Sequence, residues 1–305
     1  MNLLTRADFD GLICAVLLKE AGVMDSWRFV HPKDVQDGKV EAGPNDILAN
    51  VPYVPGCGMW FDHHSSEFER LNFDFEFEGV SKSADSCARV IWEYYGGHDT
   101  FSRSFDTMLE YVDRCDSGRL TREEVENPDG WVMLSFISDP RTGLGRYTDY
   151  RISNHLLMLK LVEWIRTLSI DDILEEGDVR ERAVRYWEHE TFFRRMVERT
   201  VSIRDNAIVL DLRPESEIYT GNRFSIYTMY PDCNISVQVV WGKDKERVSL
   251  AVGHSIFNRT SNTDVGKLML QYGGGGHKQV GTCQVPVDDA DRVLEEVVAR
   301  INADG

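Results

Sequence analysis

Positive charge is scarce in this chain. Its 305 residues include 34 lysines and arginines but 51 aspartates and glutamates, so the formal net charge is -17. Such an excess of negative charge repels the phosphate backbone of nucleic acids and argues against a broad contact with duplex DNA. A phosphate-bearing ligand must therefore be bound by a local basic pocket or by metal ions, unless the acidity serves only solubility.

Paired cysteines and long apolar segments are also missing. The six cysteines form no CxxC pair and are scattered over the chain as Cys14, Cys57, Cys87, Cys115, Cys233 and Cys283. This spacing argues against a zinc cluster or a disulfide framework, and reduced thiols in an intracellular protein explain it simply. No apolar run is long enough to span a bilayer, and the first residues, MNLLTRADFDG, do not read as a signal peptide. We expect a cytoplasmic protein that does not contact membranes.

The first part of the chain alternates short apolar segments with helical patterns. The segments MNLLT, WRFVH, DILANV and GMWF predict strands, whereas LICAVLLKEAG and residues 83–95, SADSCARVIWEYY, predict helices. This alternation is typical of a mainly parallel sheet that helices cover on both faces. Residues 155–200 then show helical spacing with dense charge on one face, which indicates a helical linker.

The pattern changes to strands in the last third of the chain. AIVLDLR, FSIYTMY, ISVQVVWG and RVSLAVG predict strands, and TDVGKLMLQYG and DDADRVLEEVVARINA predict helices. We therefore predict an α/β protein of two domains. The first is a mainly parallel sheet domain that includes the helical linker, residues 1–190, and the second is a smaller mixed-sheet α/β domain, residues 191–305. The sequence contains no internal repeat and no low-complexity tract.

Two acids lie in the turn RADFDG, directly after the first predicted strand. Asp8 and Asp10 flank a single residue, and Gly11 lets the chain turn away. Two carboxylates at this spacing can face one cation, but the capping of a helix would explain one of them without any metal.

The segment MWFDHHSSE places Asp62, His63 and His64 at the end of a predicted strand. Imidazole groups bind Mn, Zn, Fe or Co, and carboxylates favour Mg and Mn. A carboxylate beside a histidine can also orient the ring. Functional groups in α/β proteins lie where strands end, so this segment predicts a metal site. The alternative is a pair of partly exposed histidines at a strand end.

A third acidic segment, YVDRCDSG, contains Asp113 and Asp116 after a helical stretch, residues 104–111. These acids either join the predicted metal site or are solvated at a helix end.

A run of glycines follows near the end of the chain. Gly273, Gly274, Gly275 and Gly276 precede His277 and Lys278. Consecutive glycines adopt positive φ without steric cost, and their N–H groups can converge on an anion. We expect a phosphate-binding loop because the run lies between a helical pattern and an apolar strand, although glycine runs are also common in linkers. His254 and Ser255 supply further polar groups upstream.

The order of these motifs, DxDG, DHH and GGGGH, resembles the DHH phosphoesterase superfamily with its DHH-associated C-terminal domain. The resemblance covers nearly the whole chain and is greatest to the nano-RNase and exopolyphosphatase-like members. It implies a manganese-dependent hydrolase of phosphate esters, with the metal at the C-terminal edge of the parallel sheet, the substrate between the two domains and, as in relatives, a homodimer.

The resemblance also implies roles for particular residues. Asp8, Asp10, His63 and Asp116 match the metal ligands, with Asp113 as the alternative to Asp116. Asp62 would support His63, and His64 would face the substrate phosphate. The substrate-binding groups in the second domain would be His254, Ser255, Gly273, Gly274, Gly275, Gly276 and His277.

Two positions depart from the family pattern. Relatives carry a histidine shortly before the acidic turn, where this chain has Leu4 or Arg6, and a bridging aspartate where this chain has Asn50. Asn50 is still expected as a metal ligand at this position, although an amide is a poorer bridge than a carboxylate. We therefore expect one tight ion per chain, bound by Asp10, His63 and Asp116, with the charge of Arg6 acting on the phosphate beside the weakened site. Alternatively, Arg6 points to solvent or pairs with a surface acid.

Together these features predict a metal-dependent phosphoester hydrolase that uses Mn²⁺, with Mg²⁺ or Co²⁺ as alternatives. The expected substrates are small phosphorylated molecules such as very short oligonucleotides, nucleoside bisphosphates or polyphosphate. The competing interpretation is a nucleotide- or phosphate-binding protein with weak or no hydrolase activity.

Overall fold

The computed structural model describes residues 1–64, 67 and 76–305. The chain forms two compact units, Met1–Trp187 and Glu188–Gly305. The last residue of the first unit lies within a long helix, Gly177–Thr200.

The first unit contains a parallel five-stranded sheet with the strand order β2-β1-β3-β4-β5. Its strands are β1 (Asn2–Arg6), β2 (Ser26–Val30), β3 (Asp46–Ala49), β4 (Met59–Asp62) and β5 (Gly79–Ser81). Because all of the strands are parallel, the residues that follow β1, β3 and β4 come out at the same edge of the sheet. The acidic turn, Asn50 and the two histidines of MWFDHHSSE therefore lie at one edge.

Helices lie between and after these strands along the chain. They are α1 (Phe9–Glu20), α2 (Pro32–Gln36), α3 (Cys87–Tyr94), α4 (Asp106–Asp116), α5 (Arg122–Glu126), α6 (Gly130–Ser138), α7 (Asn154–Thr167), α8 (Ile170–Glu175) and α9 (Gly177–Thr200). The central helix α1 is almost wholly buried, which its apolar sequence LICAVLL explains, and it packs against α3, α4, α6 and α7.

The second unit contains a mixed six-stranded sheet with the order β10-β11-β9-β8-β7-β6. Its strands are β6 (Val201–Arg204), β7 (Ala207–Asp211), β8 (Ile235–Trp241), β9 (Arg247–His254), β10 (Gly275–His277) and β11 (Val280–Pro286), and its helices are α10 (Ser225–Met229), α11 (Val265–Leu270) and α12 (Ala290–Asp304). The pair β7–β8 is parallel, and the other pairs are antiparallel. Apolar side chains of α11 and α12 pack on the sheet to form one core.

The predicted fold class, α/β with a parallel sheet followed by a smaller mixed sheet, is confirmed. Several local predictions were wrong. The run FSIYTMY is the short helix α10 rather than a strand, because Asn222 starts a turn by accepting a hydrogen bond from the N–H of Phe224 at 2.8 Å. The buried hydroxyl of Tyr227 then bonds to Ser236 and to the carbonyl of Gly253. A short apolar run does not distinguish a strand from a buried helical turn.

The segment 83–95 becomes helical only at Cys87, because Ser86 is the N-cap and its hydroxyl accepts the N–H of Arg89 at 3.0 Å. In YVDRCDSG, both acids lie inside α4 rather than after it. Among the helices of the described residues, none is both long enough and apolar enough to cross a bilayer.

Candidate metal and phosphate site

The acidic turn connects β1 to α1 with little free space. Asp8 is the N-cap of α1, and its Oδ1 accepts the N–H of Gly11 at 3.0 Å. A Cβ atom on Gly11 would lie 2.0 Å from the carbonyl oxygen of Arg6 and 2.7 Å from Oγ1 of Thr5. Only glycine fits at this close approach of two chain segments. The turn thereby fixes the positions of both carboxylates.

Asp10 lies in the first turn of α1 and is 2% exposed. Its Oδ2 accepts the N–H of Cys87 at 2.9 Å, and its Oδ1 accepts the N–H of Ala88 at 2.8 Å. Both donors belong to the first turn of α3, where unpaired N–H groups and the helix dipole favour negative charge. Each carboxylate oxygen keeps a second lone pair, so Asp10 can still bind a cation.

His63 follows β4 and is 4% exposed. Its Nδ1 lies 3.2 Å from the carbonyl oxygen of Ala84, which can only accept, so Nδ1 carries the proton. In the neutral ring, Nε2 therefore carries the lone pair. This atom lies 3.5 Å from Oδ2 of Asp10 and 3.4 Å from Oδ2 of Asp116.

These three side chains, Asp10, His63 and Asp116, form what we call the ligand trio. Burial and the charge of Asp116 raise the pKa of Asp10 to about 7. Burial acts to lower the pKa of His63, but the carboxylates of Asp116 and Asp10 outweigh it and raise this pKa above its ordinary value. The two carboxylates repel each other in a buried setting, and a positive charge between them would relieve this repulsion.

The ligand trio fits a divalent metal ion. One ligand atom from each residue lies within 4.8 Å of those of the other two. The carbonyl of Ala84 holds the histidine ring in the orientation and tautomer that a metal ligand needs. Two carboxylate oxygens and one imidazole nitrogen are a donor set that suits Mn²⁺ and related ions.

The structure distinguishes the two acids of α4. Asp116 joins the ligand trio, whereas Asp113 pairs with the guanidinium of Arg89 at 2.6 Å and accepts the hydroxyl of Ser86 at 2.7 Å. Asp113 thus ties α4 to the N-terminus of α3. The two acids lie on the same face of α4, about one turn apart. Their contacts make Asp116 a candidate ligand and Asp113 a support for the N-terminus of α3.

Asp62 contacts the second histidine of the pair rather than the first. Its Oδ1 lies 2.8 Å from Nδ1 of His64, while Nδ1 of His63 is bound to the backbone. Ala84 occupies Nδ1 of His63, but the charge of Asp62 adds to those of Asp116 and Asp10 in raising the pKa of His63, so support of His63 by Asp62 stays a prediction. Burial, followed by the nearby charges of His63 and Arg6, lowers the pKa of His64 well below its usual value. His64 is accordingly neutral at pH 7.

The other predicted ligands form a separate group around Asp8. Oδ2 of Asp8 pairs with Nε of Arg6 at 2.9 Å. Oδ1, which already caps α1, also accepts Nδ2 of Asn50 at 3.1 Å. Because a carboxylate only accepts, the amide nitrogen must face Asp8. The structure thus joins Asp8 to both Arg6 and Asn50, and neither Asp8 nor Asn50 belongs to the ligand trio.

Asn50 has an unusual backbone. Its φ is 57°, in the left-handed region that asparagine tolerates better than most residues. Its N–H donates to the carbonyl of Phe61 on the neighbouring strand β4 at 3.1 Å. This conformation turns the amide of Asn50 toward Asp8 at the end of β3.

The glycine run in the second unit is only partly a loop. Gly275–His277 form strand β10, which pairs with β11. Positive φ occurs at Gly273, 73°, and at Gly276, 149°. A Cβ atom on Gly276 would lie 2.2 Å from the carbonyl oxygen of Val280, and one on Gly274 would lie 2.2 Å from that of Thr282. The glycines thus allow close packing against β11, a use that the sequence alone did not indicate.

His254 and Ser255, at the end of β9, have local partners. Nε2 of His254 donates to the carbonyl of Thr263 at 2.8 Å. The hydroxyl of Ser255 accepts the N–H groups of Phe257 at 3.2 Å and Asn258 at 3.0 Å. Ser255 therefore shapes the turn after β9, in addition to any contact with a ligand.

No protein-family model matches the chain, and no curated protein matches it. Solved structures do. The pGpG-specific phosphodiesterase PggH from Vibrio cholerae is 48% identical, with a TM-score of 0.78 over 100% of this chain and 99% of that one. A DHH domain from a member of a family of ribosomal proteins matches 97% of this chain and 86% of its own, with 13% identity and a TM-score of 0.53.

The chain belongs to the DHH superfamily of phosphoesterases. This confirms the resemblance inferred from the motifs and the expected class of activity, phosphoester hydrolysis. RecJ of Thermus thermophilus in complex with Mn²⁺ shares the fold, with 12% identity and a TM-score of 0.55 over 99% of this chain and 52% of that one. The DHH motif of this chain is thus Asp62, His63 and His64.

Several groups around the DHH motif were not predicted from the sequence. The carbonyl of Ala84 and the N–H groups of Cys87 and Ala88 orient the ligand trio, but they are backbone atoms that any residue supplies. Arg89 was also missed, although its position one helical turn after the N-cap Ser86 agrees with a role in joining α3 to α4.

Proposed function

We propose that this DHH protein is a metal-dependent phosphodiesterase that hydrolyses short linear dinucleotides of the pGpG type. The observation that carries the proposal is the 48% identity to the pGpG-specific enzyme over the whole chain. The ligand trio supports it, because the trio lies where parallel strands end and offers three donors to one cation. Cleavage of the P–O3′ bond by water would release two nucleoside 5′-monophosphates.

The proposed cofactor is Mn²⁺, with Mg²⁺ or Co²⁺ as alternatives, bound by Asp10, His63 and Asp116. When bound, such an ion lowers the pKa of water and neutralises charge on phosphate. The chain's own residues do the rest. Asp62 fixes the ring of His64 through Nδ1, so the Nε2 lone pair of this neutral histidine can accept a proton during the reaction.

The proposed number of ions is one per chain. In the unmodified protein, Asp8 is already engaged by Arg6 and Asn50. We expect the double variant Asn50→Asp, Arg6→His to bind a second ion, because a new carboxylate beside Asp8 and a new imidazole would replace an amide and a guanidinium. Metal content by mass spectrometry and calorimetric titration of the metal-free protein measure this.

The matched control is Asn50→Ala, which removes the amide donor without adding a carboxylate and should keep one ion. Two equally tight ions in the unmodified protein would contradict the proposal.

The glycine run and His277 are proposed to bind a substrate phosphate, with His254 and Ser255 nearby in sequence. We expect Gly276→Val to raise KM by about tenfold or more while metal content is unchanged, because a β-branched residue neither adopts this φ nor fits beside Val280. Steady-state kinetics and metal analysis of the same preparation measure both effects.

Gly38→Ala is the control, because Gly38 also has positive φ, 70°, but has no atom within 4 Å of its Cβ position. An unchanged KM for Gly276→Val would show that the glycine run only connects α11 to β11 and does not bind the substrate phosphate.

One experiment tests the function as a whole. Purified protein is incubated with Mn²⁺, Mg²⁺ or Co²⁺ and a panel of pGpG, short RNA, phosphoadenosine phosphate, a cyclic dinucleotide and polyphosphate, and both mononucleotide and phosphate release are followed. We expect mononucleotide release from pGpG to dominate. Binding of pGpG without turnover would favour the competing phosphate-binding interpretation. The homodimer, the exclusion of duplex DNA and the cytoplasmic location stay predictions.

A further inference from the structure

Arg6, at the edge of the parallel sheet, uses only one side of its guanidinium for an ion pair. Its Nε is paired with Asp8, and its side chain is 29% exposed. The two terminal nitrogens make no hydrogen bond to any of the residues that the structure describes. The ion pair with Asp8 therefore orients the guanidinium and leaves its fork of terminal N–H donors available.

A second arginine has the same arrangement. Arg141 lies in the turn Pro140–Thr142 that follows α6, and both its backbone N and its Nε donate to Oδ1 of Asp139 at 2.8 Å. Within residues 1–64, 67 and 76–305, its terminal nitrogens also make no hydrogen bond. Its side chain is 36% exposed.

Arg6 and Arg141 both interact with charges close to the ligand trio. α6 packs against α1 and α4, the helices that carry Asp10 and Asp116. Burial acts to lower the pKa of Arg141, but Asp139 and then the more distant charges of Asp8 and Asp116 raise it. Asp8 is thus the direct partner of Arg6 and an electrostatic neighbour of Arg141.

Arg185 and Arg114 use their guanidinium groups differently. Arg185 places both terminal nitrogens on Asp149 at 2.6 Å, and the terminal NH2 of Arg114 contacts both oxygens of Glu124 at 2.6 Å. In those pairs the carboxylate occupies the terminal nitrogens of the guanidinium. In Arg6 and Arg141 the carboxylate takes Nε, which leaves the terminal nitrogens available to another planar or tetrahedral oxyanion.

We propose that Arg6 and Arg141 together bind the non-bridging oxygens of the phosphate that reacts at the ligand trio. We call this pair the arginine clamp. Asp8 and Asp139 are positioning residues for it, so Asp8 orients a guanidinium rather than binding metal. A planar guanidinium matches phosphate oxygens with two N–H donors and stays charged at any working pH. The clamp rests on the proposed function for its substrate, and it supplies the local basic pocket that a chain of net charge -17 needs.

The test uses the full-length protein and four variants, Arg6→Ala, Arg6→Lys, Arg141→Ala and Arg141→Lys. With Mn²⁺ and pGpG, we expect each alanine variant to lower kcat/KM by about 10²-fold, because removing one donor to a developing oxyanion has effects of this size. The lysine variants keep the charge without the fork and should recover part of the activity. Metal content should stay at the unmodified level in all four.

Binding of inorganic phosphate to the Mn²⁺-loaded proteins, measured by calorimetry, gives a second readout that does not depend on turnover. We expect affinity to fall about tenfold or more in each alanine variant. The control is Arg300→Ala, which removes an exposed i,i+4 pair with Asp304 and should change neither readout.

The outcomes separate the two proposals. If the unmodified protein binds phosphate but does not cleave pGpG, and the arginine variants bind phosphate more weakly, the clamp stands and the proposed function fails. If pGpG is cleaved and neither arginine variant changes kcat/KM or phosphate binding, the clamp is wrong. A fall in metal content in Arg6→Lys would also overturn it, because Arg6 would then support the metal rather than the phosphate.

Discussion

His63→Ala should lower the hydrolysis of pGpG by at least about 10²-fold, because it removes a nitrogen donor that the fold has already oriented. The ring is 4% exposed, its Nδ1 is bound to Ala84, and its Nε2 faces both acids of the ligand trio. The expected loss is in metal affinity as well as in rate. Initial rates over a range of Mn²⁺ concentrations, with metal content by mass spectrometry, measure both.

Two further histidine variants are the controls for His63→Ala. His64→Ala should lower kcat but retain the metal, because His64 contacts Asp62 and is not in the ligand trio. His155→Ala removes an exposed histidine that meets Phe29 edge-on and should change nothing. Turnover of His63→Ala near the unmodified level at saturating Mn²⁺ would remove this residue from the site.

Substitutions of Asp116 and Asp113, which lie three residues apart on α4, should have opposite effects on metal binding and on stability. Asp116→Asn should reduce metal affinity and activity by about 10²-fold and leave stability nearly unchanged, because its carboxylate faces His63 and is partly exposed. Asp113→Asn should retain the metal but reduce the free energy of unfolding by about 1–3 kcal/mol. It weakens a pair in which Arg89 is 25% exposed and Asp113 10% exposed.

Each variant is the control for the other. Chemical denaturation with both proteins free of metal measures stability, and calorimetry measures Mn²⁺ binding. If Asp113→Asn lost the metal and Asp116→Asn kept it, the assignment of the ligand trio would be reversed.

Much of this site could be predicted from the sequence because its side chains lie at strand ends. The acidic turn follows β1 and the DHH motif begins at the last residue of β4, and parallel strands bring both to one edge of the sheet. The strand ends point to Asp10 and His63, whereas Asp116 is predicted as a ligand only from the resemblance, and the structure places the three together. Asp113 and Asp116 lie on the same face of α4, so helical spacing does not show which of them faces His63. Only their contacts distinguish them.

The remainder could not be predicted because it depends on backbone atoms and on distant parts of the chain. The clamp residue Arg141 belongs to no motif, and only the packing of α6 on α1 and α4 brings it toward Asp8. The sequence predicts Asp8 equally well as a metal ligand or as a helix cap, and only the structure shows that it caps α1 and pairs with Arg6 and Asn50. The glycine run resembles a loop in sequence, but the pairing of β10 with β11 makes part of it a strand.

The hydrogen bonds from α3 to Asp10 affect how a bound metal ion can be exchanged. Both oxygens of this carboxylate are already fixed by the N–H groups of Cys87 and Ala88, and neither bond requires an ion. The geometry of the ligand is therefore built when the chain folds, and little reorganisation is left for the moment of binding. Such a site can be emptied by a chelator and refilled while the turn between β1 and α1 keeps its shape, so the supply of the ion, rather than refolding, would set how fast a depleted enzyme recovers.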